Sequence, residues 1–318
     1  MVLILSFDEY EQCTDPVIDW LLYYKVNFIK LTQQDLYSNS KFKIDIINNT
    51  FLFNNIDLVK EVNCIYYRRF EDNLNLNLRN SYPTNQAMFE LKYELKDLIK
   101  YIYFIFRDKV WFPAPENIAI DKLTALSIAK ECGLSIPSSI VTNNSDDTAN
   151  FISRNNSIVK PIRFSGYYTK GDITYNVYTN SIFIEDLRRW HCKQFFPTLI
   201  QEKIEKAFEI RTFYLDGDIY ASAILVQDEK YDDIKRNFNT EYIKWIPYKF
   251  PEEIEHSIRL FMSKVSLNTG SIDMMKTKEG KFVFIEVNPV GQFMAPSDRC
   301  NYYIEQKIAK WLIKNDKE

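Results

Sequence analysis

The chain has 318 residues, 40 Lys and Arg against 43 Asp and Glu, and 46% hydrophobic residues. That length suits two or three packed units, the apolar share excludes general disorder, and a net charge of −3 gives no ground for wholesale binding of a nucleic-acid backbone. The longest apolar run, Tyr101–Phe106, falls far short of the roughly 20 residues of a membrane span. The opening Met-Val-Leu-Ile-Leu-Ser has neither a basic leader nor a small-residue cleavage site, so Val2–Ser6 reads as a buried strand and not a secretory signal. Asp15-Pro16 begins a helix, with a cap and a proline in its first turn, that sets Val17, Leu21, Leu22 and Tyr24 on one face. Val26–Leu31 and Cys64–Arg68 read as further strands, separated by a polar, hairpin-like stretch at Lys41–Leu58. Met88, Leu91, Leu95, Leu98, Ile102 and Ile105 recur at helical spacing and predict a long amphipathic helix over Gln86–Phe106. Residues 1–100 therefore read as an alternating α/β unit.

All seven glycines lie from Gly133 onward. After Trp111-Phe-Pro-Ala-Pro115, a second helix is predicted over Asp121–Cys132, closed by Gly133 as a left-handed cap with Pro137 beyond it. Residues 138–200 carry short strands and a helix near Ile184–Cys192. The last third contains two hairpins. In Glu209-Ile-Arg-Thr-Phe-Tyr-Leu-Asp-Gly-Asp, the Asp216-Gly217 pair suits a two-residue type I′ turn, and alternation places Glu209, Arg211, Phe213 and Leu215 on one face. A carboxylate and a guanidinium on that face fit an internal salt bridge, an edge strand or a binding site. In the second hairpin the turn is Glu279-Gly280. Pairing Lys278 with Lys281 puts Asp273 directly opposite Glu286, with Asn288 on the same face as Glu286. The neighbours Phe282, Val283, Phe284, Ile285 and Val287 are apolar, and like charges opposed in such a setting need a cation between them. Hard oxygen donors with an amide suit Mg²⁺. The plainer alternative is a solvent-facing acidic pair.

Cys13, Cys64, Cys132, Cys192 and Cys300 are scattered without a CxxC spacing, which argues against disulfides or zinc and for a reducing cytoplasm. His191 and His256 are the chain's two histidines, and no G-x-S-x-G elbow is present, so a serine triad or a histidine-rich metal site has little to build on. Both histidines read as structural.

Asp273 followed by Glu286-Val-Asn288-Pro289 resembles the metal signature of the ATP-grasp fold. Lys122, in Ile120-Asp121-Lys122-Leu123, resembles the first ATP-grasp lysine. Lys160, in Ser157-Ile-Val-Lys160-Pro161, resembles the second, ahead of a phosphate-covering loop at Arg163-Phe-Ser-Gly166. Gln201-Glu202-Lys203-Ile204 resembles the hinge that meets adenine through main-chain groups, Glu209 the ribose-binding acid, and Arg211 the arginine that steadies transferred phosphate. The loop departs from the pattern in having only Gly166 and Gly171, and Asp232-Asp233-Ile-Lys-Arg236 matches the family's Asp-x-Arg element loosely. A narrower resemblance covers nearly the whole chain. Ile65-Tyr-Tyr-Arg68-Arg69, Trp111-Phe-x-x-Pro115, Ser222 to Gln227 and Asn288-Pro-Val-Gly-Gln292-Phe resemble graspetide synthetases, ATP-grasp maturases of ribosomal peptides similar to microviridin ester ligases. Leu3-Ile-Leu-Ser6 with Asp15-Pro-Val-Ile-Asp19-Trp20-Leu resembles the branch found beside SPASM-type radical proteins.

The resemblance implies an α/β (α+β) ATP-grasp fold: an N-terminal pre-ATP-grasp α/β domain over 1–110, a central subdomain over 111–199 and a C-terminal antiparallel-sheet subdomain with the Mg²⁺ site over 200–318. It implies ATP with two Mg²⁺ ions, metal ligands Asp273, Glu286 and Asn288, nucleotide contacts at Lys122, Lys160, Gln201, Glu202, Lys203, Ile204 and Glu209, and catalytic roles for Arg211, Lys160 and Asn288. The implied activity is carboxylate activation in a leader-plus-core precursor peptide, closing ester cross-links to Ser or Thr, or amides to Lys. A cytoplasmic homodimer that binds neither nucleic acid nor membrane is the expected setting. Arg68, Arg69, Arg163, Arg188, Arg189 and Arg236 are candidates for holding an acidic peptide. Arg68 and Arg69 serve equally well to cap the end of the first sheet, and the aromatic residues near Arg188 and Arg236 to pack the C-terminal sheet. A ligase of free amino acids or small acids would share the ATP residues, and a nucleotide-dependent binding protein would share them without turnover.

Overall fold

The computed structural model describes residues 1–37, 40–71, 85–163, 167–170, 173–176, 179–189, 193–226 and 243–317. The chain divides into two compact units, one of 1–118, 267–269 and 292–318, the other of 119–266 and 270–291. The first unit thus takes in the C-terminal segment that the sequence reading places with 200–318.

Among the described residues, the first unit is built on a four-stranded parallel sheet in the order Phe28–Thr32, Val2–Ser6, Cys64–Tyr67, Val110–Phe112. Val2–Leu5 and Cys64–Tyr67 are buried throughout, as strands covered on both faces should be. The helix Asp15–Tyr23 carries Pro16 in its first turn and buries Val17 and Leu21. Leu22 is instead 59% exposed, because it lies about 100° around the helix from Leu21. The long helix runs Asn85–Ile105 and buries Leu95, Ile99 and Ile102. The polar stretch forms a three-stranded antiparallel sheet of Phe42–Asp45, Thr50–Phe53 and Ile56–Asp57. The last helix, Ile304–Asp316, buries Ile304, Ile308, Ala309 and Leu312 against the Asp15–Tyr23 helix and the parallel sheet, and the Trp311 ring lies 4.7 Å from that of Phe112. No helix among the described residues is long and apolar enough to cross a membrane.

The second unit holds two larger sheets among its described residues. One has the order Asn180–Ile182, Ser157–Lys160, Gln194–Glu202, Ser139–Asn144, antiparallel throughout. The helices Ser145–Ile152 and Ile184–Arg189 flank it, with Ile182, Leu187 and Ile200 as its local core. The other has the order Ile243–Tyr248, Asp218–Val226, Lys206–Leu215, Thr269–Thr277, Phe282–Asn288. Helix Glu252–Lys264 packs there, its Phe261 ring 5.0 Å from that of Phe284. Helix Lys122–Glu131 begins at Asp121, whose carboxylate accepts from the N–H groups of Leu123 and Thr124 at 2.9 and 3.0 Å. Gly133 ends it at φ +83°, a left-handed conformation that glycine adopts without a Cβ penalty.

Arg68 ends the Cys64–Tyr67 strand and is 3% exposed. Its Nη2 lies 3.3 Å from Glu11 Oε1, while Glu11 Oε2 accepts from the Thr14 hydroxyl at 2.7 Å and the Cys13 N–H at 3.1 Å. This closes the end of the parallel sheet, the capping role that the sequence also allows Arg68, with its guanidinium buried on a carboxylate of its own unit. Burial pushes the Glu11 carboxyl up, but the Arg68 guanidinium with the Thr14 and Cys13 donors outweighs it and holds the group below its ordinary value near 4.5. A carboxyl depressed on folding stabilises the fold above its unfolded pKa, and that contribution is lost as pH falls through the lower folded value. Glu11→Gln should therefore cost about 3 kcal/mol at pH 7 by leaving Arg68 buried without its counter-charge. Chemical denaturation at pH 7 and in stronger acid should show the gap to wild type narrowing below about pH 4.5. Equal stability at pH 7 would rule the account out.

Candidate functional site

Both hairpins of the five-stranded sheet form. Leu215 pairs with Asp218, and Asp216 and Gly217 turn between them at φ +44° and +101°, the two positive values that a type I′ turn requires. In the second hairpin Asp273 faces Glu286 and Ser271 faces Asn288, as the sequence predicts for the acidic pair. The route to that register is different. Thr277 donates its N–H to the Lys281 carbonyl at 2.9 Å, so the loop spans 278–280, with Gly280 at φ +89°. Met274 pairs with Phe284 and Asp273 with Glu286, which leaves Ile285 as an extra residue in a bulge that restores the register one step on. The Phe284 N–H reaches the Ser135 carbonyl at 2.7 Å, fastening the strand to the segment that leaves helix Lys122–Glu131.

Each half-buried carboxylate of the pair has its own cation. Arg211 binds Asp273 with two donors, Nε to Oδ1 at 2.9 Å and Nη2 to Oδ2 at 3.0 Å. Lys122, in the first turn of its capped helix, sets Nζ 3.4 Å from Glu286 Oε2 and 3.5 Å from the Pro161 carbonyl. The Asp273 carboxylate raises the Arg211 pKa against the opposing effect of burial, with Glu209 and Glu286 adding to the rise. Glu209 lies two residues before Arg211 on the same face, with Lys206 Nζ 2.5 Å from its Oε1. Lys206 was not evident from sequence, since a pair three apart at the start of a strand follows no strand periodicity. Just past Asn288-Pro289 the chain folds against the paired strand Thr269–Thr277: a Cβ on Gly291 would fall 2.2 to 2.5 Å from Ser271 atoms, so glycine is required there.

Lys160 ends the Ser157–Lys160 strand, half-buried, opposite Leu199. Gln201 is buried and donates its amide to the Ser139 hydroxyl at 2.9 Å. The Glu202 N–H donates to the Ser138 carbonyl at 2.9 Å and the Lys203 N–H to the Asn156 carbonyl at 2.7 Å, before 203–205 carry the chain from one sheet to the other. Ile204 is half-buried in that crossing. Arg163, Arg188 and Arg189 are exposed, and Arg69 is half-buried with φ +56°. Gly166, Gly171, Trp190, His191, Cys192, and the 231–236 element with Arg236 lie outside the described residues. Cys13, Cys64, Cys132 and Cys300 are buried free thiols, and burial pushes Cys64 up to about 12.

The donor set fits a hard divalent ion. Two carboxylates face each other across paired strands, with Asn288 two residues along from Glu286, and no cluster of three or more His, Cys, Asp or Glu occurs among the described residues. Such a set leaves positions for phosphate oxygens and water, as Mg²⁺ sites do.

No family model and no curated protein matches the chain. Solved structures do match along its whole length. The macrocyclase MdnC from Microcystis aeruginosa MRC, bound with precursor peptide MdnA, is 24% identical, with 98% of this chain and 99% of that chain covered at a TM-score of 0.80. A RiPP-associated ATP-grasp ligase from Chryseobacterium gregarium, in complex with ADP and a leader and core peptide, is 22% identical over 98% and 96% of the two chains at 0.86. The ATP-grasp ligase PsnB, complexed with a minimal precursor variant, Mg and ADP, is 14% identical over 99% and 98% at 0.77. The chain has the ATP-grasp fold.

Arg211→Ala should destabilise the metal-free protein by about 1–3 kcal/mol, because the opposed carboxylates then repel with one fewer counter-charge. In an Asp273→Asn background the same change should cost clearly less. Melting curves of the four proteins of this cycle measure the coupling. Additive effects would mean that the pair carries no interaction energy.

Proposed function

We propose that this chain is an ATP-dependent ligase that activates Asp or Glu side chains of a ribosomally made precursor peptide and joins them to Ser or Thr hydroxyls or Lys amines of the same peptide. The observation that carries the reading is the opposed Asp273–Glu286 pair, each member held by a separate cation, on a fold shared end to end with peptide-bound ATP-grasp ligases. ATP lies between the two large sheets of the second unit in this reading. The hinge at Gln201, Glu202, Lys203 and Ile204 meets the base, and Glu209 the ribose.

The peptide carboxylate attacks the γ-phosphorus, the bond to the β,γ-bridging oxygen breaks, and ADP leaves behind an acyl phosphate. A hydroxyl or amine then attacks the acyl carbon, phosphate departs, and the nucleophile's proton is released. Both steps gather negative charge, and in this reading Arg211 and Lys160 receive it. Asp273, Glu286 and Asn288 would hold two Mg²⁺ ions, which when bound neutralise charge on the phosphate oxygens. No enzyme nucleophile is needed, in keeping with buried thiols and an exposed His256. A cytoplasmic homodimer belongs to the same proposal and rests on the family resemblance.

Asp273→Asn or Glu286→Gln should abolish ADP release on addition of Mg²⁺, ATP and peptide while leaving the circular dichroism spectrum unchanged. Lys160→Ala should slow the reaction by tenfold or more, that is by at least about 1.4 kcal/mol of transition-state stabilisation. Near-normal turnover of either carboxylate variant would refute the site. For the peptide, Arg188 and Arg189 stand exposed side by side in the last turn of their helix, where two guanidinium groups can pair with acidic side chains. Charge reversal at both should raise the apparent Kd for the precursor and spare ATP binding. Equal processing of a free amino acid or a leaderless core would replace the peptide reading with a small-molecule ligase.

A further inference from the structure

We propose that Arg211 and Lys122 hold the place of the metal in the metal-free protein, so that divalent ion and nucleotide enter by an exchange of partners and not by filling an open site. This rests on the ligase reading for the identity of the incoming groups. Asp273 and Glu286 face each other across an antiparallel pair, an arrangement that repels unless compensated. The compensation is complete without a metal. Both Asp273 oxygens accept from the Arg211 guanidinium, at 2.9 and 3.0 Å, so an ion cannot take this carboxylate without displacing a bidentate, charge-assisted pair. Lys122 covers Glu286 at 3.4 Å, a looser contact, and also touches the Pro161 carbonyl beside Lys160 at 3.5 Å. The two carboxylates and two cations are neutral together. A dication added alone would leave two positive charges uncompensated in a half-buried site, with Arg211 and Lys122 pushed off their partners and nothing anionic to receive them.

Phosphates supply what is missing. When they arrive with the ion, the carboxylates pass to the metal and the two displaced cations pass to phosphate oxygens, so every charge is paired before and after. Lys206, 2.5 Å from Glu209, holds the other nearby carboxylate, so Arg211 is not drawn to Glu209 instead. The consequence is a reciprocal coupling, with ion and nucleotide each tightening the other.

The test is a titration of the full chain with Mn²⁺, read by electron paramagnetic resonance, with and without ADP. In wild type, ADP should tighten Mn²⁺ by about tenfold or more, at least about 1.4 kcal/mol. Arg211→Gln should raise the affinity for Mn²⁺ alone by about tenfold and shrink the effect of ADP. Lys122→Gln should act in the same direction by less, and it keeps the question answerable should Arg211→Gln fail to fold. In Arg211→Gln/Asp273→Asn the gain should disappear. A wild type that binds Mn²⁺ with ADP, but whose two single variants hold Mn²⁺ alone no more tightly, overturns the exchange and leaves the ligase reading standing. A wild type that takes up neither ADP nor Mn²⁺ with ADP overturns both.

Discussion

Two carboxylates of like charge, Asp273 and Glu286, face each other across one hairpin, half-buried, with the apolar neighbours Ile272, Met274, Ile285 and Val287 beside them in sequence. Left alone they would push the strands apart, so the surrounding elements are arranged to bring one cation to each. The neighbouring strand Lys206–Leu215 delivers Arg211 to Asp273. The Asp121 cap fixes the first turn of the next helix and with it Lys122, and the segment leaving that helix is bonded through Ser135 to Phe284 of the acidic strand. Both ends of the helix are therefore referred to the same strand. Gly291 lets the chain close over Ser271, opposite Asn288, where any side chain would collide with the strand's backbone.

The same arrangement explains why so little else is needed for the proposed chemistry. Acyl phosphate formation asks a protein for charge and alignment more than for proton transfer. The described thiols are buried, with Cys64 pushed up to about 12, and the proposed chemistry asks none of them to act as a nucleophile. Lys122, Lys160 and Arg211 sit on hydrogen-bonded strands and a capped helix of the second unit, which under the proposed chemistry limits how far each would stray from the phosphates.

Much of this site is legible in the sequence because strand alternation is strict. Glu209, Arg211 and Phe213 fall on one face, and the acidic pair aligns as its spacing predicts. The second agreement has a physical twist. The turn at 278–280 is one residue wider than the Glu279-Gly280 turn read from sequence, and the bulge at Ile285 takes up the difference. Neither departure leaves a local signal, since Gly280 suits both turns and Ile285 sits in a run of apolar residues. Arg68 shows the opposite case. Its motif suits a peptide contact or a cap on the first sheet equally, and the carboxylate that buries it, Glu11, lies far away in sequence. The return of 292–318 to that unit is likewise invisible to periodicity, which reports the face a helix buries and not the sheet that covers it.

The central claim is that the Asp273–Glu286 pair is where a peptide carboxylate is activated. The most direct measurement is the mass of an acidic, Ser/Thr- and Lys-bearing precursor peptide made together with the enzyme. The account predicts loss of one water per cross-link with the wild-type chain and an unaltered mass with Glu286→Gln. Dehydrated peptide from both proteins, or from neither, would contradict it.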